Sequence, residues 1–208
     1  LAVWAAVAAN KLGRPIKLRL DRDEDFMVTG KRHPFAYEYD VGFDDTGRIT
    51  GLKLQMLANC GFSADLSGPV ADRAVFHADN AYYLSDVEIA SYRCKTNTQS
   101  HTAFRGFGGP QGVIVIEAIL GDIARALGRD AQDVRLANLY GKDASSGRYV
   151  THYQMAVEDN ILHELLPTLE QTSHYRQRQA AIADWNARNT VIKRGMAITP
   201  VKFGISFT

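Results

Sequence analysis

A stretch of nine residues brings together three kinds of chemical group. Residues 104–112 read Phe-Arg-Gly-Phe-Gly-Gly-Pro-Gln-Gly, so an arginine and two aromatic rings lie among glycines before a proline typical of a first helical turn. Glycines allow a backbone to approach a ligand closely, and free N–H groups at a helix start attract anions. The loop would suit a flat, electron-rich ligand on a phosphorylated cofactor. A structural turn before a buried helix explains it about equally well, and neither general phosphate-binding motif is present.

Arg73 is the second candidate for chemistry. It lies in the run Asp-Arg-Ala-Val-Phe-His at 72–77, whose apolar residues favour partial burial. A guanidinium stays protonated there because its pKa is above ~12, so it donates reliably to carbonyl or heterocycle oxygens and to negative charge that develops on them. The alternative is a structural ion pair with Asp65, Asp72 or Asp79.

The remaining reactive residue types match no known catalytic or metal-binding spacing. Cys60 and Cys94 form no CxxC pair and have no histidine at ligand spacing, which indicates buried, reduced thiols rather than zinc or iron–sulfur ligands. The six histidines contain no HExxH motif, and the serines lack a nucleophile elbow. The acidic run at 21–25 is interpreted as a solvated turn.

Composition limits the class of protein. The chain has 208 residues, 46% of them hydrophobic and 23% charged, with a formal net charge of +1. These values are typical of globular proteins and give no electrostatic reason to expect nucleic acid or an anionic membrane as partner. Residues 1–12 are apolar, but a membrane span needs about 20 residues. They are predicted to form a buried helix, in a cytoplasmic protein.

The periodicity of apolar residues predicts helices and strands in separate blocks. Strands are predicted at 16–20, 35–43, 49–58, 87–96 and 195–208, and helices at 2–11, 69–76, 110–127, 130–139, 157–166 and 173–185. The turn Asp-Asp-Thr-Gly at 44–47 makes 35–58 a long antiparallel hairpin. Helix 110–127 is dense enough in apolar residues to be buried on most sides, and Pro167 is expected to kink or end its helix. The block arrangement predicts an α+β fold, with antiparallel hairpins or a mixed sheet packed against buried helices.

Four segments, in order along the chain, resemble one known family. They are Lys-Arg-His-Pro-Phe at 31–35, Arg-Ala-Val-Phe-His-Ala-Asp-Asn at 73–80, Thr-Ala-Phe-Arg-Gly-Phe-Gly-Gly-Pro-Gln at 102–111 and Lys-Phe-Gly-Ile-Ser-Phe-Thr at 202–208. Together they resemble the molybdenum-cofactor-binding part of the xanthine dehydrogenase family of molybdenum hydroxylases, specifically the molybdopterin-binding subunit of a bacterial, multi-subunit form. The resemblance implies that 1–150 is part of a first cofactor-binding lobe. It implies that 151–208, after a polar linker at 141–149, is a helical connection and the start of a second lobe.

The resemblance also implies roles for individual residues. Arg73 matches the arginine that orients the purine and stabilises charge on it, and Thr208 matches a neighbouring substrate contact. Phe107 and Phe207 match the two rings that sandwich the purine. Arg105 matches the position whose backbone amide meets the molybdenum cofactor, with Phe104 and Gly106 beside it. No residue is expected to bind the metal directly.

The activity that the resemblance implies is oxidation of hypoxanthine and xanthine to urate, with water as the oxygen source, as part of purine catabolism. Electrons would pass from molybdenum-molybdopterin through 2Fe-2S clusters and FAD, on other domains or subunits, to NAD. The expected partners are the rest of the same subunit and an iron–sulfur and FAD subunit, in a heterotetramer. No membrane and no nucleic acid are expected.

The chain is expected to be an internal fragment that is inactive alone. The family's base glutamate would precede residue 1, and a second substrate glutamate would follow residue 208. Two alternatives stay open: a related molybdenum hydroxylase for aldehydes or other N-heterocycles, and a non-catalytic scaffold domain.

Overall fold

A mixed three-stranded sheet forms the centre of the fold. The structure is a computed structural model that describes residues 1–204, so the predicted site residues Phe207 and Thr208 lie outside the described part. The strands are β1 (Phe35–Phe43), β2 (Ile49–Gly61) and β3 (Val87–Lys95). The helices are α1 (Ala2–Leu12), α2 (Arg22–Val28), α3 (Ser67–Phe76), α4 (Gly109–Leu127), α5 (Ala131–Asn138), α6 (Leu162–Thr172) and α7 (Tyr175–Arg188), with a 3₁₀ turn at Ala144–Ser146.

The predicted hairpin is confirmed. β1 pairs antiparallel with β2, from Phe35 opposite Ala58 to Phe43 opposite Ile49. The turn closes because the Asp44 carboxylate accepts the N–H of Thr46 at 2.9 Å, while the Asp44 carbonyl accepts the N–H of Gly47 at 2.8 Å. These are the local side-chain bonds for which aspartate is favoured in turns.

β3 completes the sheet by pairing parallel to β2, with the strand order β1-β2-β3. A parallel pair needs a crossover connection, and α3 lies within that connection. The combination of an antiparallel hairpin, one parallel strand and packed helices confirms the predicted α+β class.

The core lies between one face of the sheet and α4. Alternate β2 residues Leu52, Leu54 and Met56 are buried, as are Ile116 and Ile119 of α4. α4 begins as predicted with Pro110 in its first turn and ends at Gly128, whose φ of 63° is left-handed and whose N–H reaches the Ala124 carbonyl. Burial is confined to one side, contrary to the prediction, since Ile114 is 62% exposed.

Several predictions about the two ends of the chain were wrong. No strand forms at 16–20 or at 195–204, because neither segment finds a strand to pair with. α1 forms where predicted but buries no residue, and its Trp4 is 58% exposed. The acidic run at 21–25 is not a turn: the Asp21 carboxylate accepts the N–H of Glu24 at 2.8 Å and begins α2 with a capping box.

The helices after residue 150 also differ from their predictions. α6 continues through Pro167 to Thr172 rather than ending there. Ser173 is the C-cap of α6, and α7 starts after His174, which has a φ of 52°. Over residues 1–204, every helix is too short or too polar to cross a lipid bilayer.

Candidate functional site

The candidate site is built where α3 and α4 approach each other closely. A Cβ on Gly108, whose φ is 102°, would overlap the carbonyl oxygen of Val70, and a Cβ on Gly112 would overlap that of Ala74. Only glycine fits at these two positions. The contact places the loop before α4 directly beside the residues that flank Arg73.

The glycine-rich loop therefore serves packing within the chain more than approach to a ligand. The ring of Phe203 occupies the space that a Cβ on Gly109 would need, and Pro110 occupies that of Gly106. The start of α4 is also internally satisfied: the N–H of Gly109 donates to the Gly106 carbonyl at 2.9 Å, and the N–H groups of Gln111 and Gly112 donate to the Gly108 carbonyl, each at 3.1 Å. These three N–H groups are therefore not free, contrary to the expectation.

Two further backbone donors lie one turn earlier, at Arg105 and Gly106. Within residues 1–204, neither backbone N–H donates a hydrogen bond, and the side chain of Arg105 is exposed. The Arg105 carbonyl is fixed from behind because Arg32 donates to it at 2.6 Å, and the Arg32 guanidinium lies 4.7 Å from the centre of the Phe104 ring. The amides of Arg105 and Gly106 and the guanidinium groups of Arg32 and Arg105 thus form an edge suited to binding an anion, called here the anion-friendly edge.

Phe107 lies between this edge and α4. It adopts a φ of 47°, rare for a residue with a large side chain, and its N–H donates to the Phe104 carbonyl at 2.8 Å. Its ring is partly buried. The tight turn from Phe104 to Gly108 holds it in this conformation.

Arg73 is buried on α3, with 5% of its surface exposed. Its guanidinium donates to the Gly204 carbonyl at 2.8 Å and lies over the ring of Phe203, 4.7 Å from the ring centre. Two of the proposed ion-pair partners are engaged elsewhere, since Asp72 pairs with Arg93 and Asp79 with Lys202. The guanidinium thus lies against residues 203 and 204. These belong to segment 202–208, for which the resemblance implies substrate contacts.

His77 contacts Arg73 and also residues 203 and 204. Its Nδ1 lies 2.9 Å from the Arg73 carbonyl oxygen, its Nε2 accepts the N–H of Gly204 at 3.4 Å, and its ring packs on Phe203 with 4.9 Å between ring centres. Burial lowers the pKa of His77, and the nearby charges of Arg73 and Lys202 lower it further. The imidazole is therefore neutral at physiological pH.

Asn80 and Lys202 fix the segment at its other end. The Asn80 amide donates to the Pro200 carbonyl at 2.8 Å, and its oxygen accepts the N–H of Lys202 at 3.2 Å. Lys202 Nζ lies 2.5 Å from a carboxylate oxygen of Asp79, which is fully buried and also accepts from Tyr140 at 2.6 Å.

Sequence reasoning missed His77 and Asn80, although a signal for them existed. Arg73, His77 and Asn80 are spaced i, i+4, i+7, the spacing of residues on one helix face. Three polar side chains at that spacing, at and beyond the end of a helix whose other residues there are mostly apolar, indicate a shared polar partner. That partner is the backbone of residues 200–204. Arg32 was also missed, and no local pattern could have assigned it.

A cavity of about 390 Å³ opens beside Arg73. Its walls come from α3, from the loop after residue 150 and from the 202–204 segment, and they include Phe76, Tyr153, Met155, Glu158 and Lys202. Phe76 and Tyr153 meet edge to face with 5.0 Å between ring centres. Among residues 1–204, no group of three histidine, cysteine, aspartate or glutamate side chains lies close enough to hold a metal ion.

The structure thus brings together part of the predicted site. Arg73 lies beside the loop that carries Phe104, Arg105, Gly106 and Phe107, and it is bonded to Gly204. The contributions of Phe207 and Thr208 fall outside the described residues. The roles of all seven residues stay predictions.

Comparison with protein families gives one match to most of the chain. Residues 1–139 match the family model described as "Molybdopterin cofactor-binding domain". This range contains the sheet, α3, α4 and the loop between Phe104 and Gly108.

Curated relatives match over the whole chain. "Xanthine dehydrogenase/oxidase" of Gallus gallus is 45% identical over 208 residues, and "Xanthine dehydrogenase" of Dictyostelium discoideum is 43% identical over 204 residues, 98% of this chain. The chain spans about 15% of the length of these relatives.

Solved structures share the fold at low sequence identity. Aldehyde oxidoreductase from Desulfovibrio gigas superimposes with a TM-score of 0.72 at 24% identity, covering 89% of this chain and 19% of that chain. Quinoline 2-oxidoreductase from Pseudomonas putida 86 gives 0.68 at 21% identity, covering 89% and 24% respectively.

Proposed function

Because this chain belongs to the molybdopterin cofactor-binding domain family, we propose that it forms one wall of the active site of a xanthine dehydrogenase. The proposed reaction is oxidation of hypoxanthine and xanthine to urate, and its support is the similarity of the chain to xanthine dehydrogenases. The observation that carries the proposal is the buried guanidinium of Arg73, held on α3 beside the loop whose Arg105 and Gly106 amides donate to no acceptor within residues 1–204. A fixed cation next to an anion-friendly edge suits an oxygen-bearing heterocycle that reacts beside an anionic cofactor.

The residues of the loop fit the cofactor that the family implies. The free N–H groups of Arg105 and Gly106 would hold an oxygen of molybdenum-molybdopterin, while Arg32 keeps the peptide in place through the Arg105 carbonyl. Phe104 supports Arg32 by stacking. When bound, the cofactor supplies the metal that accepts two electrons from the substrate.

Arg73 would act on the substrate rather than on the cofactor. Its guanidinium donates to a purine oxygen and stabilises negative charge that builds there during the reaction, as preorganised donors do. Phe107 and Phe207 would hold the purine ring between them, with Thr208 as a further contact. Because the guanidinium is already desolvated and oriented, it needs no reorganisation when charge develops.

The remaining parts of the proposal concern the complete protein. Electrons leave through 2Fe-2S clusters and FAD, on other domains or on a partner subunit, to NAD, in a cytoplasmic heterotetramer that serves purine catabolism. Residues 1–150 belong to one cofactor-binding lobe and 151–208 to the connection and the next lobe.

Residues 1–208 contain no match to the family's base glutamate, so the chain alone is expected to show no turnover. Loss of a general base costs roughly 100 to 10,000-fold in rate.

The substitution Arg73→Met in the full-length protein tests the substrate role. We expect kcat/KM for xanthine to fall roughly 100 to 1,000-fold, the usual cost of one charge-stabilising donor. Turnover of a simple aldehyde should change far less, because it offers no ring oxygen to the guanidinium. Steady-state kinetics with both substrates measure the difference.

Arg93→Met is the matched control, since Arg93 lies beside α3 and pairs with Asp72 at the surface. It should leave both activities nearly unchanged. Equal losses for xanthine and aldehyde in Arg73→Met would contradict the assignment to purines and favour an aldehyde or other heterocycle substrate. Absence of molybdenum from the full-length protein after cofactor-replete expression would favour a scaffold.

A further inference from the structure

The backbone N–H and the backbone carbonyl of Gly204 are both bound by side chains at the C-terminal end of α3. The carbonyl accepts from Arg73 at 2.8 Å, and the N–H donates to His77 Nε2 at 3.4 Å. His77 in turn lies against the carbonyl of Arg73 through its Nδ1, at 2.9 Å. The three residues form a closed ring of hydrogen bonds.

This ring fixes the tautomer of His77. A carbonyl oxygen only accepts, so Nδ1 must carry the proton, and a backbone N–H only donates, so Nε2 must be bare. The charged groups around the imidazole are Arg73, Lys202 and the buried Asp79, and burial lowers its pKa. A second proton would remove the acceptor for Gly204 and place a cation beside Arg73.

The segment at residues 195–204, to which Gly204 belongs, is not held by the hydrogen bonds of a helix or a strand. Residues 195–204 form neither helix nor strand, so their backbone groups depend on side chains for partners. Asn80 serves residues 200 and 202, and Arg73 and His77 serve residue 204. The ring of Phe203 is enclosed between His77, Arg73 and Gly109.

We propose that His77 is a positioning residue, which as the neutral Nδ1–H tautomer holds Gly204 against Arg73. It thereby orients the guanidinium and the backbone at residues 203 and 204. Its consequence for turnover rests on the proposed function, whereas its effect on the backbone does not. The role is distinct from that of Arg73, because His77 acts through its contacts with Arg73, Phe203 and Gly204.

Two substitutions separate the two hydrogen bonds of His77. His77→Gln places an acceptor near the position of Nε2 and can keep the bond from Gly204. His77→Asn places a donor near the position of Nδ1 and loses that bond. Hydrogen–deuterium exchange at the amides of residues 201–204 in the full-length protein measures the result. We expect about tenfold faster exchange in His77→Asn, the equivalent of one net hydrogen bond, and near-native exchange in His77→Gln.

Asn138→Ala is the control for general destabilisation. Asn138 is buried and bonds the Ile49 N–H and the Gly47 carbonyl, far from residue 204 in the bonding network. Its loss should not accelerate exchange at 201–204 selectively. Equal exchange in His77→Asn and His77→Gln, or equal acceleration in Asn138→Ala, would overturn the proposal.

A measurement on the unmodified protein covers the case in which the variants fail to fold. The ¹⁵N shifts of His77 should report the Nδ1–H tautomer at neutral pH, and an Nε2–H tautomer would refute the proposal. In turnover, His77→Asn should raise KM for xanthine about tenfold with a smaller change in kcat, and His77→Gln should restore it. If the unmodified protein oxidises no purine, the proposed function fails while the exchange and tautomer results still decide the role of His77.

Discussion

At the scale of single residues, burial decides which polar groups are desolvated and held in one orientation. Arg73 is desolvated, so its guanidinium needs acceptors, and it finds the Gly204 carbonyl and the face of Phe203. A buried charge of this kind is costly unless it is paired. These contacts therefore offset part of that cost.

Removal of Lys202 should strongly destabilise the chain. Asp79 is fully buried, so Lys202→Ala leaves its carboxylate with the Tyr140 hydroxyl but without the ammonium that pairs with it. We expect the free energy of unfolding to fall by roughly 3 kcal/mol, as for other broken buried pairs. Urea denaturation measures it.

The surface pair of Lys53 and Glu88 gives the matched control. Both side chains are more than half exposed, so Lys53→Ala should change stability by less than about 0.5 kcal/mol. The double variant Lys202→Ala, Asp79→Asn should be more stable than Lys202→Ala alone, because no uncompensated charge remains. A double variant that is less stable would contradict the ion-pair explanation.

The sequence predicted individual residues when the evidence was local or came from the resemblance. Arg73 and Arg105 were singled out for their neighbours and their motif. Arg32, His77 and Asn80 were not, because each acts on a backbone group far away in the chain, at Arg105, Gly204 or Pro200. No short-range pattern specifies such a partner.

At the scale of elements, the contact between α3 and α4 sets the geometry of the site. Gly112 allows the two helices to approach so closely that a Cβ at this position would overlap the Ala74 carbonyl oxygen. The loop before α4 and the polar face of α3 are close for this reason. The glycines therefore act on the site through the packing of helices.

Two glycines of α4 should respond to alanine in opposite directions. Gly112→Ala would place a Cβ on the carbonyl of Ala74, and we expect a loss of roughly 1 to 3 kcal/mol in unfolding free energy from overpacking. Gly121→Ala meets only the end of Arg125 at 3.5 Å, and should gain about 0.5 to 1 kcal/mol from helix propensity. Thermal or urea unfolding compares them. Similar effects at both positions would refute the role of close approach.

The sequence predicted a strand correctly where the alternation of apolar residues is accompanied by a neighbouring segment that can pair with it. β1 and β2 alternate and are joined by a turn, so their pairing is local. Residues 16–20 and 195–204 alternate as well, but they have no strand beside them and stay irregular. Alternation reports a possible face, whereas a strand also needs a partner edge.

At the scale of the whole molecule, buried histidines make stability depend on pH. Burial lowers the pKa of His33, His77 and His152 below the ordinary value of 6.5. The unfolded chain therefore binds protons that the folded chain does not, so stability is full above about pH 6.5 and falls as the pH drops toward the folded pKa values.

Each such histidine contributes a slope of up to about 1.4 kcal/mol per pH unit within that window. Unfolding free energies between pH 7.5 and 5.5 should decline accordingly, and His77→Gln should flatten the decline. A constant stability over this range would contradict the burial of these side chains in solution.

The crossover through α3 has a consequence for the order of folding. The β1–β2 hairpin joins residues that are close in the chain, whereas Leu52 meets Val87 only after the intervening chain has closed. Non-local pairing of this kind is slow, because the entropy of loop closure is lost before the contacts form. The amides of the hairpin should therefore acquire protection from hydrogen exchange early in refolding. Arg73 lies inside the loop that closes later. The side of the molecule that carries Arg73 would form last, together with the third strand.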